Sequence, residues 1–175
     1  MLQLTKNITN VPIMSLRTGG KVATADKPLI NPNNLKIEGW LCTDHFSKKR
    51  LILLAQDVRD FVPQGIAVND YDVLSEPDEL IRLKEVLELE FELVGKPVVT
   101  THRRRVGKVN DYAVDVTSMM VHKLYVTRPL YKSLAHGQLS IDRTQIVEIT
   151  NRRVLVKDVD VKVGSQAVAP ALGIS

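Results

Sequence analysis

Four histidines, one cysteine and two recurring carboxylate pairs are the groups in this chain whose chemistry suits catalysis or metal binding. His45, His102, His122 and His136 show none of the short spacings that bring two imidazoles onto one metal, and Cys42 alone cannot complete a zinc site. Cys42 closes the apolar run Ile37 to Cys42, which predicts a buried, inert thiol rather than a nucleophile. Asp70/Asp72 and Asp158/Asp160 each stand two residues apart, a spacing that puts both carboxylates on one face of a strand end. Their recurrence predicts a structural role rather than acid–base catalysis. Gly19-Gly20 and Gly107 do not form a phosphate-binding glycine loop, which also needs a strand–helix alternation absent here. No catalytic, cofactor-binding or metal-ligating residue is assigned, no cofactor is expected, and the chain is expected not to be an enzyme.

Two basic clusters remain. Lys48, Lys49 and Arg50 fall in a polar loop, and Arg103, Arg104 and Arg105 at a predicted hairpin tip. Clustered cations on a protruding tip suit phosphate groups, RNA included, or an acidic protein surface, so these six residues are the candidate contacts. Residues 1–87 carry 11 Lys/Arg against 11 Asp/Glu, whereas residues 88–175 carry 13 against 9, which places the whole positive excess in the second half. Within 96–157 the balance is 12 against 4, a field that attracts acidic partners. Against RNA stands the shortage of aromatic residues, 5% of the chain, with only Phe46 near either cluster.

What must position these residues is a repeated unit. Ile66-Ala67-Val68-Asn69-Asp70-Tyr71-Asp72-Val73 returns as Val154-Leu155-Val156-Lys157-Asp158-Val159-Asp160-Val161, and Asp57 to Phe61 returns as Gln145 to Ile149, both at an offset of 88. Gly20-Lys21-Val22 matches Gly107-Lys108-Val109, and Pro12 matches Pro97, with offsets that drift as loop insertions require. A repeat of this length predicts two copies of one small fold. Copy one is assigned to residues 8–74, a linker helix to 75–91, copy two to 92–163 and a flexible tail to 164–175. Units this small have thin cores, so the copies are expected to pack together.

Within copy one, Val11 to Leu16, Val22 to Ile30, Leu35 to Cys42, Leu51 to Leu54, Asp57 to Phe61 and Ile66 to Val68 are the predicted strands. Gly19-Gly20, Asn31-Pro32-Asn33-Asn34 and Gln64-Gly65 supply the turns. Five or six short strands without intervening helices predict a small antiparallel barrel. Copy two follows suit with Gly95 to Thr100, Val106 to Val116, Met119 to Val126, a polar loop from Thr127 to Gln138, Leu139 to Asp142 and strands flanking Thr150 to Arg153. Between the copies, Ser75-Glu76-Pro77-Asp78-Glu79 has a cap, an early proline and first-turn acids. Leu80, Leu83, Val86 and Leu87 then form an apolar stripe that predicts a helix through about Glu90.

These residues together resemble the PRC-barrel family, in two tandem copies spanning nearly all of residues 8–163. In copy one the resemblance is carried by Thr18-Gly19-Gly20-Lys21-Val22, Leu29 to Pro32, Ile37-Glu38-Gly39-Trp40, Leu53 to Val58 and Ile66 to Val68. In copy two it is carried by Gly95 to Val98, Val106 to Asp111, Val114-Asp115, Ile141 to Val147 and Val154 to Val156. The resemblance implies a mainly β chain of two SH3-like barrels without catalytic residues. Family members include the cytoplasmic domain of the photosynthetic reaction-centre H subunit and the C-terminal domain of a ribosome maturation factor that docks on a small-subunit ribosomal protein. Both uses are protein docking, but a shared fold does not carry either function across.

The expected function is therefore a non-enzymatic adaptor that binds a protein partner, with a ribosomal or assembly factor among the partners considered. The alternatives are an RNA- or ribosome-associated factor using the basic face of copy two, and recruitment to a membrane-associated complex. A single cysteine and an N-terminus lacking signal-peptide character predict a cytoplasmic protein, and no segment approaches the ~20 apolar residues of a membrane span.

Overall fold

Turn residues and alternating apolar side chains cut the chain into short strands. In the computed structural model, which describes residues 1–128 and 138–158, fourteen strands join one mixed sheet. The first eight are β1 (Leu2–Leu4), β2 (Val11–Ser15), β3 (Lys21–Asn31), β4 (Lys36–Asp44), β5 (Arg50–Leu54), β6 (Val58–Val62), β7 (Gly65–Val68) and β8 (Leu74–Ser75). The short helix α1 (Lys84–Glu88) precedes β9 (Pro97–Thr100), β10 (Arg105–Asp115), β11 (Met120–Thr127), β12 (Leu139–Asp142), β13 (Ile146–Ile149) and β14 (Val154–Val156). The chain is mainly β, as its Val, Ile and Leu content predicts.

The pairing follows one scheme twice. β2 is antiparallel to β3 and parallel to β7, with Ile13 opposite Ile66. β9 is antiparallel to β10 and parallel to β14, with Val98 opposite Val154. A 3₁₀ turn, Ala55–Asp57, leads into β6, and another, Arg143–Gln145, leads into β13. The register corrects one of the sequence matches. Ala23 faces Ile13 in the β2–β3 ladder while Gly107 faces Val98 in the β9–β10 ladder, so Gly107 corresponds to Ala23 rather than to Gly20.

Strand pairing, backbone hydrogen bonds and a shared core join the two halves. Met120 pairs with Lys36, while the Ile37 and Val121 amides donate to Met119 O (2.7 Å) and Leu35 O (2.9 Å). β1 crosses from the first half to the second, pairing Leu2 to Leu4 with Asp115 to Ala113 on β10. A single apolar cluster contains Ile13, Trp40 and Ile66 of the first half together with Val98, Leu124 and Val154 of the second. The expected packing of the halves is thus a continuous core.

Cys42 is 1% exposed and donates its thiol hydrogen to Trp40 O at 3.3 Å. Burial pushes its pKa up to about 12, and only the thiolate reacts. Native protein at pH 8 is expected to resist maleimide or Ellman's reagent and to react at the rate of global unfolding. Stoichiometric labelling within the mixing time of folded protein would contradict this.

The linker departs from expectation. Instead of one helix from Ser75 to Glu90, it forms a 3₁₀ turn Pro77–Glu79, a second Ile81–Leu83, and then α1. Leu80, with φ −106° and ψ 71°, separates the turns. The apolar stripe itself is used: Leu83 is buried with Leu29 and Ile52, and Leu80, Val86 and Leu87 pack against them. Short helices are marginal in water, so this packing surface sets the backbone, not helix propensity. Residues 164–175, His136, Asp160 and most of the Thr127 to Gln138 loop lie outside the described residues.

Candidate functional site

The Lys48–Lys49–Arg50 cluster sits on the β4–β5 hairpin, and one carboxylate organises that tip. Asp44 is 2% exposed; its side chain accepts from the amides of Phe46 (3.2 Å) and Ser47 (3.0 Å), the Ser47 hydroxyl and the Tyr71 hydroxyl (3.3 Å). Its backbone closes the turn, with Asp44 N donating to Lys49 O (2.8 Å) and Lys48 N to Asp44 O (3.1 Å). Lys48 takes a left-handed backbone (φ 60°) and its ammonium donates to His45 O at 2.8 Å. Arg50 opens β5 opposite Thr43.

The Ser47 hydroxyl, helped by the Ser47 and Phe46 amides and by Tyr71, holds the Asp44 carboxyl below its ordinary value of 3.8 against the opposing effect of burial. A depressed folded pKa means the contribution to stability is present above the unfolded value and lost as pH falls through the folded one. The Ser47 amide resonance, whose N–H donates to the Asp44 carboxylate, is therefore expected to hold steady down to pH 3.8 and to shift below it. A transition centred near pH 6 would contradict that assignment.

The tip also assembles an aromatic trio that sequence spacing does not disclose. Phe46 is 69% exposed and meets Tyr71 edge-on at 5.8 Å between ring centroids, and His45 at 5.3 Å. Tyr71 is itself 40% exposed. It reaches Phe46 from the 3₁₀ turn Tyr71–Val73 after β7, which also means that Asp70 and Asp72 do not share a strand face. The His45 amide donates to Val22 O (3.0 Å), bringing the start of β3, with exposed Lys21, beside the trio. Lys49 stands at the rim, 4.0 Å from Glu76.

Asp70 has a structural role. It accepts from Ser15 Oγ (3.0 Å) and from Arg17 Nε, and Arg17 chiefly holds its carboxyl below the ordinary range. In the second half Asp158 pairs with His102 Nδ1 at the corresponding place. His102 thus has a carboxylate partner rather than a purely solvated setting, and His122 is exposed on β11. Among the described residues, no group of three or more His, Cys, Asp or Glu is placed to hold a metal ion.

The Arg103–Arg104–Arg105 triplet is split by the structure. Arg103 (φ 61°) and Arg104 form the exposed turn between β9 and β10, closed by Arg103 N to Thr100 O and Thr100 N to Arg104 O, both 2.9 Å. Arg105 instead opens β10 and lines a cleft of about 570 Å³ with Lys108, Arg128, Arg152 and Arg153. Pro97 and Val99 supply apolar surface with Val98 buried behind them, and neither an acidic nor an aromatic residue lines the cleft. Gly107 brings these cations together. Its φ of 157° and a Cβ position only 2.1 Å from Thr127 O show that β10 presses on the end of β11, beside Arg128. The charge excess over 96–157 was the only sequence signal of this convergence.

Among the described residues, no helix is long and apolar enough to cross a membrane. No protein-family model matches the chain, and neither does any curated protein.

Proposed function

We propose that this chain is a non-enzymatic cytoplasmic adaptor of two PRC-barrel copies joined by the 75–91 segment, and that it docks a protein partner on the hairpin tip of the first copy. The twofold recurrence of the pairing scheme, with Ile13–Ile66 and Val98–Val154 at equivalent parallel positions, supports the two-copy reading. The docking reading is carried by one observation: the His45–Phe46–Tyr71 trio, with Phe46 69% exposed, at a tip that bears Lys48 and Lys49. Large apolar rings held out into water by a buried, fully bonded carboxylate are what a partner surface covers. Aromatic anchors with a charged rim dominate the free energy of protein interfaces.

Affinity capture from host lysate, with and without RNase, tests this. Phe46→Ala removes an exposed ring and leaves the Asp44 network in place, so folding is not at stake. The variant is expected to lose the co-purifying protein, by about 2 kcal/mol or more, roughly thirtyfold. That protein should persist after RNase in the parent. Capture abolished by RNase would transfer the chain to the RNA-associated class, and equal capture by Phe46→Ala would remove the tip from the interface.

A further inference from the structure

The cleft over β9, β10 and β11 is separate from the docking tip and has its own chemistry. Five cations, Arg105, Lys108, Arg128, Arg152 and Arg153, line one concavity with no carboxylate among them. Among the described residues, acidic partners stand beside cations of the other regions at Arg17–Asp70, Lys27–Glu92, Lys49–Glu76 and Lys84–Glu88, and beside none of these five. Like charges gathered without a counter-charge repel one another, and a bound polyanion relieves that repulsion. Four of the five are arginines, whose planar forks bind phosphate oxygens in pairs. The volume, about 570 Å³, falls in the range of small-molecule sites. Pro97 and Val99 give an apolar wall that inorganic phosphate alone would leave unused.

We propose that this cleft binds a small organic diphosphate or triphosphate, its phosphates on the arginines and its carbon skeleton against Pro97 and Val99. An RNA strand fits less well, because single-strand readers rely on aromatic faces to stack bases and none lines the cleft. An acidic peptide would present carboxylates, but five cations in so small a volume match the higher charge density of linked phosphates.

Calorimetric titration of the full chain at near-physiological salt tests the assignment, with ADP, geranyl diphosphate, inorganic pyrophosphate, a short single-stranded RNA and a Glu-rich peptide as probes. At least one of the two organic diphosphates is expected to bind about tenfold more tightly than pyrophosphate, the added affinity coming from the apolar wall. Arg152→Ala/Arg153→Ala is expected to weaken it about tenfold or more, and Arg128→Ala similarly, since charge-assisted bonds are lost. Both arginines of the pair are exposed, and Arg152→Lys/Arg153→Lys retains charge while losing the fork, so its binding should fall between the parent and Arg152→Ala/Arg153→Ala. Arg103→Ala/Arg104→Ala, outside the cleft, should leave affinity within about twofold. Pyrophosphate binding as tightly as both organic ligands would mean unspecific charge attraction and overturn the proposal. So would RNA or the peptide binding more tightly than either, or insensitivity to the cleft arginines. None of these outcomes bears on Phe46, so the docking proposal stands or falls separately.

Discussion

Trp40→Ala is expected to lower the free energy of unfolding by about 3–5 kcal/mol, and the thermal midpoint by about 10 °C. Trp40 is fully buried on β4, packs its ring at 5.9 Å from Phe61, and donates its indole N–H to Ile8 O at 2.9 Å. Removal leaves a large cavity and an unpaired carbonyl on an equally buried residue, adding to the cost. Ile8 follows the β1 strand that crosses to β10, so the loss should weaken the strap between halves as well as the first core. Urea denaturation followed by circular dichroism measures it. An unfolding free energy within about 1 kcal/mol of the parent would contradict the position of Trp40 at the junction. Because Trp40 is the sole tryptophan, its fluorescence in the parent reports that junction directly.

The second large effect is expected from adding one methyl group at Gly65 or Gly107. Both have positive φ, 146° and 157°, and a Cβ there would lie 2.1 Å from Pro12 O and Thr127 O respectively. Backbone strain and a clash with a neighbouring strand's carbonyl combine, so Gly65→Ala and Gly107→Ala should each cost about 2–4 kcal/mol. Gly95, where a Cβ meets nothing within 4 Å, is the control: Gly95→Ala carries only the cost of its left-handed backbone, about 1 kcal/mol. Gly107→Ala should also separate Arg105 and Lys108 from Arg128, lowering diphosphate affinity even at temperatures where the protein stays folded. Equal costs at Gly95 and Gly107 would show that the strand approach contributes nothing.

The strands were legible because their residues announce themselves. Leu139–Asp142 lies where the alternation places it, and β2, β3, β4 and β5 begin and end within two residues of the predicted runs. The repeat offset that aligns Ile66 with Val154 also identifies the residues that occupy matching parallel ladders. Glycine identity misled the alignment at one place: a turn glycine and a close-approach glycine look alike in sequence, and only the register distinguishes Gly20 from Gly107. The linker stripe at Leu80, Leu83, Val86 and Leu87 was correctly assigned to a packed face, but periodicity cannot see that Leu80 leaves the helical region. Nor can a three-residue strand such as Leu2–Leu4 show periodicity at all.

At the candidate sites, proximity was what the sequence could not supply. Tyr71 joins Phe46 through a turn on a different hairpin, making an aromatic surface where sequence showed only one ring. Arg128, Arg152 and Arg153 meet Arg105 because the sheet order places β14, β9, β10 and β11 side by side. Lys48 and Lys49 stay at the tip where the sequence put them, whereas Arg103 and Arg104 part from Arg105 at the start of a strand.

Photo-crosslinking from position 46 in living host cells tests the central claim most directly, with Phe46 replaced by a photoreactive phenylalanine analogue. A dominant adduct containing one protein partner, formed also in RNase-treated lysate, is the predicted result. An RNA adduct, or no adduct while the same analogue at exposed Ile81 captures a partner, would contradict docking through the first-copy tip.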